Sequence, residues 1–342
     1  MPGIDELVAQ MNKKYKTDII RKASDLKSTE FIPFTSPKMN YLTRGGVPVG
    51  RMIEFVGLPQ SGKTTTALDV LANYQRMAKK ASQSRYSVYL DAENAMDKEW
   101  GVTLGVDWSK VILIQPESEY GEQLLDMLLD YIRSGEIGLV VVDSAPVIQP
   151  KTTCDNALED KSYGGNSALM KAFCDKAVPL CKKHECTFIM INQIRENIGN
   201  MYQPFKIPCG TALTHACSEI LWFTKGSLLD ETGAEKSQNY PNPVGNVVQV
   251  KVHKNKVTKN DRRLDSYTLN YSTGVEDGID AIDLGIKLGV ITQKGAWFYL
   301  PTSSGKETKA QGRAGVIEYF YNDLDEFEWL KGEVYKVSME EG

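Results

Sequence analysis

No stretch of this 342-residue chain approaches the roughly eighteen consecutive apolar residues of a membrane-spanning helix, so no segment reads as a span. The opening MPGIDELVAQMNKKYK lacks the apolar core of a signal peptide, and the chain is expected to stay in the cytosol. Cysteine is scarce: Cys154, Cys174, Cys181, Cys186, Cys209 and Cys217 make no disulfide framework in a protein of this size and compartment. The tightest group, Cys181-Lys182-Lys183-His184-Glu185-Cys186, has no second ligand pair at zinc-finger spacing. Buried free thiols are the better account of it. Positive charge is not in excess either, with 40 Lys and Arg against 44 Asp and Glu. A net charge of −4 neither favours nor excludes nucleic acid, because a local basic surface decides that. What is present, 42% hydrophobic and 25% charged residues, is the composition of a soluble globular protein. The length suits one large α/β domain with one or two small appendages.

The chain is organised around Gly57-Leu58-Pro59-Gln60-Ser61-Gly62-Lys63-Thr64, which fits G-x-x-x-x-G-K-[ST] without a mismatch. The run Met52 to Val56 before it reads as a buried strand, and Thr65 to Met77 after it carries apolar residues at helical spacing. Strand, glycine loop and helix form the context this motif requires. Glycines let backbone N–H groups wrap phosphates, the helix points its positive end at them, and Lys63 adds a full charge. The Thr64 hydroxyl is then placed for Mg²⁺. These residues predict a nucleoside triphosphate site.

Ahead of the loop, Ile4 to Ile20 reads as a helix with Leu7, Val8, Met11, Tyr15 and Ile19 on one face and a basic far half. It is either a solvated helix packed on the main domain or an arm that docks on a neighbouring subunit. Pro33 and Pro37 mark a linker into the core. Strands and helices then alternate, the signature of a mostly parallel sheet. Tyr86–Leu90 leads to Glu93, Gly138–Val142 to Asp143, and Thr187–Asn192 to Gln193. Ligands of open α/β sheets bind beyond the carboxyl ends of strands, so these three side chains are expected to converge on the phosphate loop. Asp143 can orient Mg²⁺ through its water shell, Glu93 can activate water against the γ-phosphate, and Gln193 can sense that phosphate. Two polar stretches, Lys151 to Asn166 and Arg195 to Gly210, are long enough to be functional loops. A strand-like run from Val247 ends in Lys254-Asn255-Lys256, and the last section reads as a small α+β appendage.

GGVPVGRMIEFVGLPQSGKTT, LDAENAMD, VVVDSAPVIQPK, INQIRENIG, VHKNK and KGAWF, in this order and at these separations, closely resemble the bacterial RecA recombinases. The likeness runs over most of the chain and is strongest from Gly45 to about Lys256. It implies an α/β fold: a RecA-like P-loop ATPase core (36–275) with a mostly parallel central sheet. An N-terminal oligomerisation arm (1–35) and a small α+β C-terminal domain (276–342) would flank it. ATP and Mg²⁺ are the implied cofactors, single-stranded and double-stranded DNA and further copies of the chain the implied partners.

By the same resemblance, the loop from Gly57 to Thr65 would hold the phosphates, with Thr64, Asp143 and Ser144 around the metal. Glu93 would be the catalytic base and Gln193 the relay to DNA. Asp97 and Trp100 would lie near adenine, with Tyr271 approaching the base as well. Lys254 and Lys256 would reach the ATP of the adjacent subunit, in the manner of an arginine finger in trans. Two DNA-binding loops, about 152–166 and 195–211, would line a filament axis. Ser162, Gly164, Gly165, Asn166, Arg195, Asn197, Gly199, Gly210 and Thr211 are the candidate backbone contacts. Departures from the family pattern fall mainly in the second loop: Cys209-Gly210-Thr211 replaces paired glycines with asparagine, Pro204 and Pro208 stiffen it, and His215 follows. They bear on DNA affinity and on its coupling to hydrolysis. The expectation is a DNA-dependent ATPase that forms filaments on single-stranded DNA and drives homologous pairing and strand exchange. The alternatives are a ring-forming ATPase of the same superfamily, or a filament protein that binds ATP with little turnover.

Overall fold

The structure, a computed structural model, describes residues 3–26, 28–155, 165–196 and 205–340. Residues up to Glu30 form a unit of their own. Its helix runs Ile4–Tyr15, shorter than the span to Ile20 expected from periodicity. Lys16 turns left-handed at its end, and the Asn12 carboxamide then pairs with the backbone N–H and C=O of Ile20, folding the chain back. No residue of this helix is buried. The main unit starts at Phe31, ahead of the expected residue 36, because Phe31–Ile32 already pairs with Val47–Pro48.

A ten-stranded sheet carries the main unit. Its strands are β1 Met52–Gly57, β2 Tyr86–Asp91, β3 Val111–Ile114, β4 Ile137–Asp143, β5 Thr187–Gln193, β6 Glu219–Leu229, β7 Gly245–Asn255, β8 Leu264–Asn270 and β9 Gly274–Val275. Glu235–Lys236 adds a short strand beside β6. Spatial order is β9-β8-β7-β6-β1-β5-β4-β2-β3. From β6 to β3 every pairing is parallel, whereas β6 to β9 pair antiparallel.

The parallel strands read as continuous apolar runs because both their faces are covered. Along β1, Ile53 and Phe55 join a cluster with Ile189, Val141 and Leu221. Helix α1 (Lys63–Lys80) covers that face with Ala67, Leu68, Val70 and Leu71. Met52 and Val56 point the other way, into a cluster with Met190, Val140 and Ile220. Helices α2 (Gly121–Ser134) and α3 (Gly165–Lys183) close that side. A third cluster, with Ile282, Phe298, Leu300, Phe320, Phe327 and Leu330, belongs to the C-terminal section. That section has a helix Asp277–Lys287, a three-stranded antiparallel sheet, and helices Gly312–Asn322 and Leu324–Glu340. Buried Asp280 ties it to the sheet by accepting from Ser36 Oγ and from the Thr268 N–H. Among the described residues no helix is long and apolar enough to cross a membrane.

Candidate active site

β1 ends at Gly57 and α1 begins at Lys63, so the glycine loop fills the turn between them. Gly57 lies in the sheet itself, opposite Phe223 of β6 on one side and Gln193 of β5 on the other. Gly62 caps α1 at φ +94°, a left-handed conformation that glycine adopts without strain. The Lys63 ammonium is buried and folded onto its own loop, donating to Gly57 O at 3.1 Å and Leu58 O at 2.7 Å. Burial lowers its pKa, while the carboxylates of Asp143 and Glu93 pull the other way. A cation whose hydrogen bonds go to neutral oxygens keeps its full charge for an anionic ligand. A cavity of about 420 Å³ opens over the loop from Gln60 to Thr65. Gly57 is buried in the strand, and Leu58 and Pro59 lie on the exposed outer side of the turn.

The polar ends of the parallel strands meet beside this loop. Thr64 Oγ1 donates to Asp143 Oδ2 at 2.6 Å, and the buried Tyr89 hydroxyl donates to the same oxygen at 3.1 Å. Burial raises the Asp143 pKa, and these two donors oppose the rise. Glu93, two residues beyond the end of β2, accepts from Ser144 Oγ and from Gln193 Nε2, the latter at 2.7 Å. Glu93, Asp143 and Gln193 come from three adjacent strand ends, as the order β5-β4-β2 requires. The donors at Thr64 and Asp143 are hard oxygens on one side of the loop, a set that suits Mg²⁺.

Trp100 and Tyr271 line the cavity together with Lys225, Asn246 and Leu269. The Trp100 indole N–H donates to Thr65 Oγ1 at 3.3 Å, which fixes the ring against the start of α1. Asp97, expected near adenine, is not among the cavity-lining residues; its carboxylate accepts from the Trp100 N–H and caps the helix Lys98–Thr103. It therefore sets the position of Trp100. Sequence reasoning missed Lys225, Asn246 and Leu269. They reach the site only because β6, β7 and β8 extend the sheet past the loop, and no local pattern marks them.

The RecA N-terminal domain family matches residues 3–276 of this chain. The chain belongs to the RecA family. It is 33% identical over 304 residues to Protein RecA of Thermotoga neapolitana, covering 88% of this chain and 82% of that one. Protein RecA of Staphylococcus carnosus is 31% identical over 321 residues, covering 93% and 84% of the two chains. Protein RecA of Cereibacter sphaeroides is 34% identical over 271 residues, covering 79% and 73%.

In this RecA-family chain Ser162, Gly164, Asn197 and Gly199 lie outside the described residues. What flanks them is ordered by specific contacts. Gly165 opens α3, and Asn166 donates to Ile148 O at 2.7 Å. Arg195–Glu196 pairs antiparallel with Phe205–Lys206, so the second loop starts and ends on a short ribbon. Exposed Arg195 follows Gln193 by two residues. Helix α4 (Gly210–Ala216) then begins at Gly210, φ +81°, where a Cβ would lie 2.7 Å from Ser167 Oγ of α3. The ends of both loops thus adjoin, and exposed Thr211 sits at this junction. Lys254 donates to the carbonyls of Thr214 and His215, and Lys256 to His215 O at 3.1 Å. Both lysines sit at the C-terminal end of α4, where the helix dipole favours cations. Within one chain they therefore serve the second loop's helix.

Proposed function

We propose that this chain is a DNA-dependent ATPase that assembles as an ATP-bound helical filament on single-stranded DNA and catalyses homologous pairing and strand exchange. The observation that carries the reading is the hydrogen bond from Gln193 to Glu93 beside the phosphate loop, with Gln193 leading directly into the second loop. One carboxylate is thereby tied to the loop that would hold DNA. Lys63 and the loop N–H groups bind the ATP phosphates, and Trp100 and Tyr271 flank the base. Mg²⁺, held by Thr64 and Asp143, would supply positive charge against the phosphate oxygens. Glu93 takes the proton of the attacking water; Ser144 and Gln193 keep its carboxylate in place. Family membership supports a role in recombination and repair, a role that fits a cytoplasmic protein.

DNA is held mainly through phosphates at Arg195, Gly165, Asn166, Gly210, Thr211 and their neighbours, so binding is salt-dependent and nearly indifferent to sequence. Lys254 and Lys256 give α4 a cationic end that presents charge to the ATP of an adjoining copy. The residues before Phe31 serve as the arm between subunits.

ATP hydrolysis with and without single-stranded DNA tests the reading, with Lys63→Ala as blank. A large DNA-dependent increase that the substitution removes supports it. Hydrolysis indifferent to DNA would point to a ring-forming ATPase, and binding without turnover to a passive filament.

A further inference from the structure

Glu54 interrupts the apolar strand β1, and its side chain is fully buried. Alternation places it on the face of Met52 and Val56. On the neighbouring strand β5 lies Asn192, buried as completely, opposite Val56 and so diagonal to Glu54. Its Nδ2 donates to Glu54 Oε1 at 2.9 Å and to Pro208 O at 3.2 Å. Both amide hydrogens are then used. The second carboxyl oxygen of Glu54, Oε2, and the carboxamide oxygen of Asn192, Oδ1, have no partner.

Two orphaned acceptors within one hydrogen-bonded pair point to a missing proton. Burying them unmade is costly, and a carboxylic acid O–H is the donor the pair lacks. Turning the carboxamide over gives no relief, since Oδ1 would then face Glu54 Oε1 and Pro208 O, both acceptors. We infer that Glu54 is a positioning residue that carries a proton and, through Asn192, clamps the closing end of the second loop and the backbone before Gln193 to the phosphate-loop strand.

The surroundings favour the neutral acid. Burial pushes the Glu54 carboxyl up to about 7, against the opposing pull of the Asn192 bond and of Lys254. Lys254, from β7, is the cation acting on Glu54, and its ammonium is already spent on the carbonyls of Thr214 and His215. Among the described residues the remaining titratable groups acting on Glu54 are thiols: Cys174 from α3, and Cys209 and Cys217 from the two ends of α4. Burial raises all three, so they stay neutral. Arg195 acts on Cys209. The consequence lies one residue on. Gln193 donates to Glu93, and the Ile194 N–H donates to Gly57 O at 3.3 Å. A shift of Asn192 therefore moves both the partner of Glu93 and the root of the phosphate loop.

Ionisation removes the O–H that Asn192 Oδ1 would accept and leaves only the Nδ2 donation to Oε1, so the clamp, doubly bonded while Glu54 holds its proton, loosens as that proton leaves. The proposal rests on the DNA-dependent ATPase reading for its effect on function, and its first test does not need that reading. Infrared spectra of the whole protein, wild type minus Glu54→Gln, are compared at about pH 6 and about pH 8.5. A carboxylic-acid carbonyl band is expected in the difference at the lower pH and not at the higher; its absence at the lower pH overturns the proposal. Hydrolysis with and without single-stranded DNA is then followed over the same range. DNA stimulation should fall severalfold with rising pH in the wild type. It should stay level in Glu54→Gln, whose carboxamide offers the same donor and acceptor without titrating. A fall that persists in Glu54→Gln overturns the clamp. If DNA stimulates neither protein, the ATPase reading fails, and the infrared band still decides whether Glu54 carries the proton.

Discussion

Replacing Gly57 by alanine tests the packing that places the phosphate loop. Gly57 does not need a left-handed backbone, so the cost is one of space. A Cβ there would lie 2.4 Å from Phe223 O and 2.7 Å from Ser61 Oγ. The hydroxyl of Ser61 can turn away, but Phe223 O belongs to the backbone of β6, paired with β1 at this residue. Relief therefore needs a shift of one strand against the other. Overpacking of this kind costs about 1–3 kcal/mol, and a backbone obstacle puts the expected loss at the upper end. The same shift moves Gly57 O away from Lys63 Nζ and from the Ile194 N–H. Misplacement of that size lowers hydrolysis by on the order of 10²-fold. Urea unfolding measures the first effect and steady-state ATP hydrolysis the second. Gly62→Ala is the comparison: its left-handed backbone costs about 1–2 kcal/mol, and its Cβ would press on side-chain atoms, Val248 Cγ2 at 3.0 Å and Tyr267 Oη at 3.2 Å, with no strand backbone in the way. Wild-type stability within about 0.5 kcal/mol, together with normal turnover in Gly57→Ala, would refute the packing argument.

Three further outcomes are expected. Glu93→Gln should cut hydrolysis by about 10²–10⁴-fold while ATP still binds, as equilibrium titration and single-turnover rates would report. Trp100→Ala should weaken ATP binding by about 1–3 kcal/mol in calorimetry, and Trp100→Tyr should recover much of it, because a stacking surface is restored. The third concerns Glu219, buried in β6, where burial pushes the carboxyl up to about 8 from an ordinary 4.5. A raised carboxyl pKa means that the unfolded chain releases the proton first. Its stabilising share is complete below about pH 4.5 and is lost as pH rises towards about 8. At about 1.4 kcal/mol per unit the loss is on the order of several kcal/mol. Glu219→Gln should flatten this part of the pH dependence of thermal unfolding, leaving the slopes of Glu54 and Asp280, which burial raises to about 7 and about 6; an unchanged profile would sink the argument.

The phosphate loop, its strand and its helix were legible in the sequence because their chemistry is local. Glycines, lysine and threonine must stand at fixed spacing for backbone N–H groups to face phosphates, and the apolar runs around them report burial on both faces of a parallel sheet. The polar ends at Glu93, Asp143 and Gln193 were legible for the same reason, each standing at or just past the end of an apolar strand. Other features were hidden. Asp97 carries the right charge at the expected place and is also of a residue type favoured at a helix N-cap; only the structure shows its carboxylate used on that cap. The N-terminal helix ends at Tyr15 because the Asn12 carboxamide pairs with Ile20, a contact that apolar periodicity does not encode.

The sequence by itself determined the family, the α/β class and the residues with the means to handle a nucleotide. Only the tertiary structure decided who touches whom. Lys225 and Asn246 enter the cavity through the antiparallel extension of the sheet. Glu54 is one polar residue in a buried strand until Asn192 is set diagonal to it, with two oxygens left over. Pairing between strands far apart in the chain depends on the register of the whole sheet, and a single strand's pattern carries no record of its neighbours.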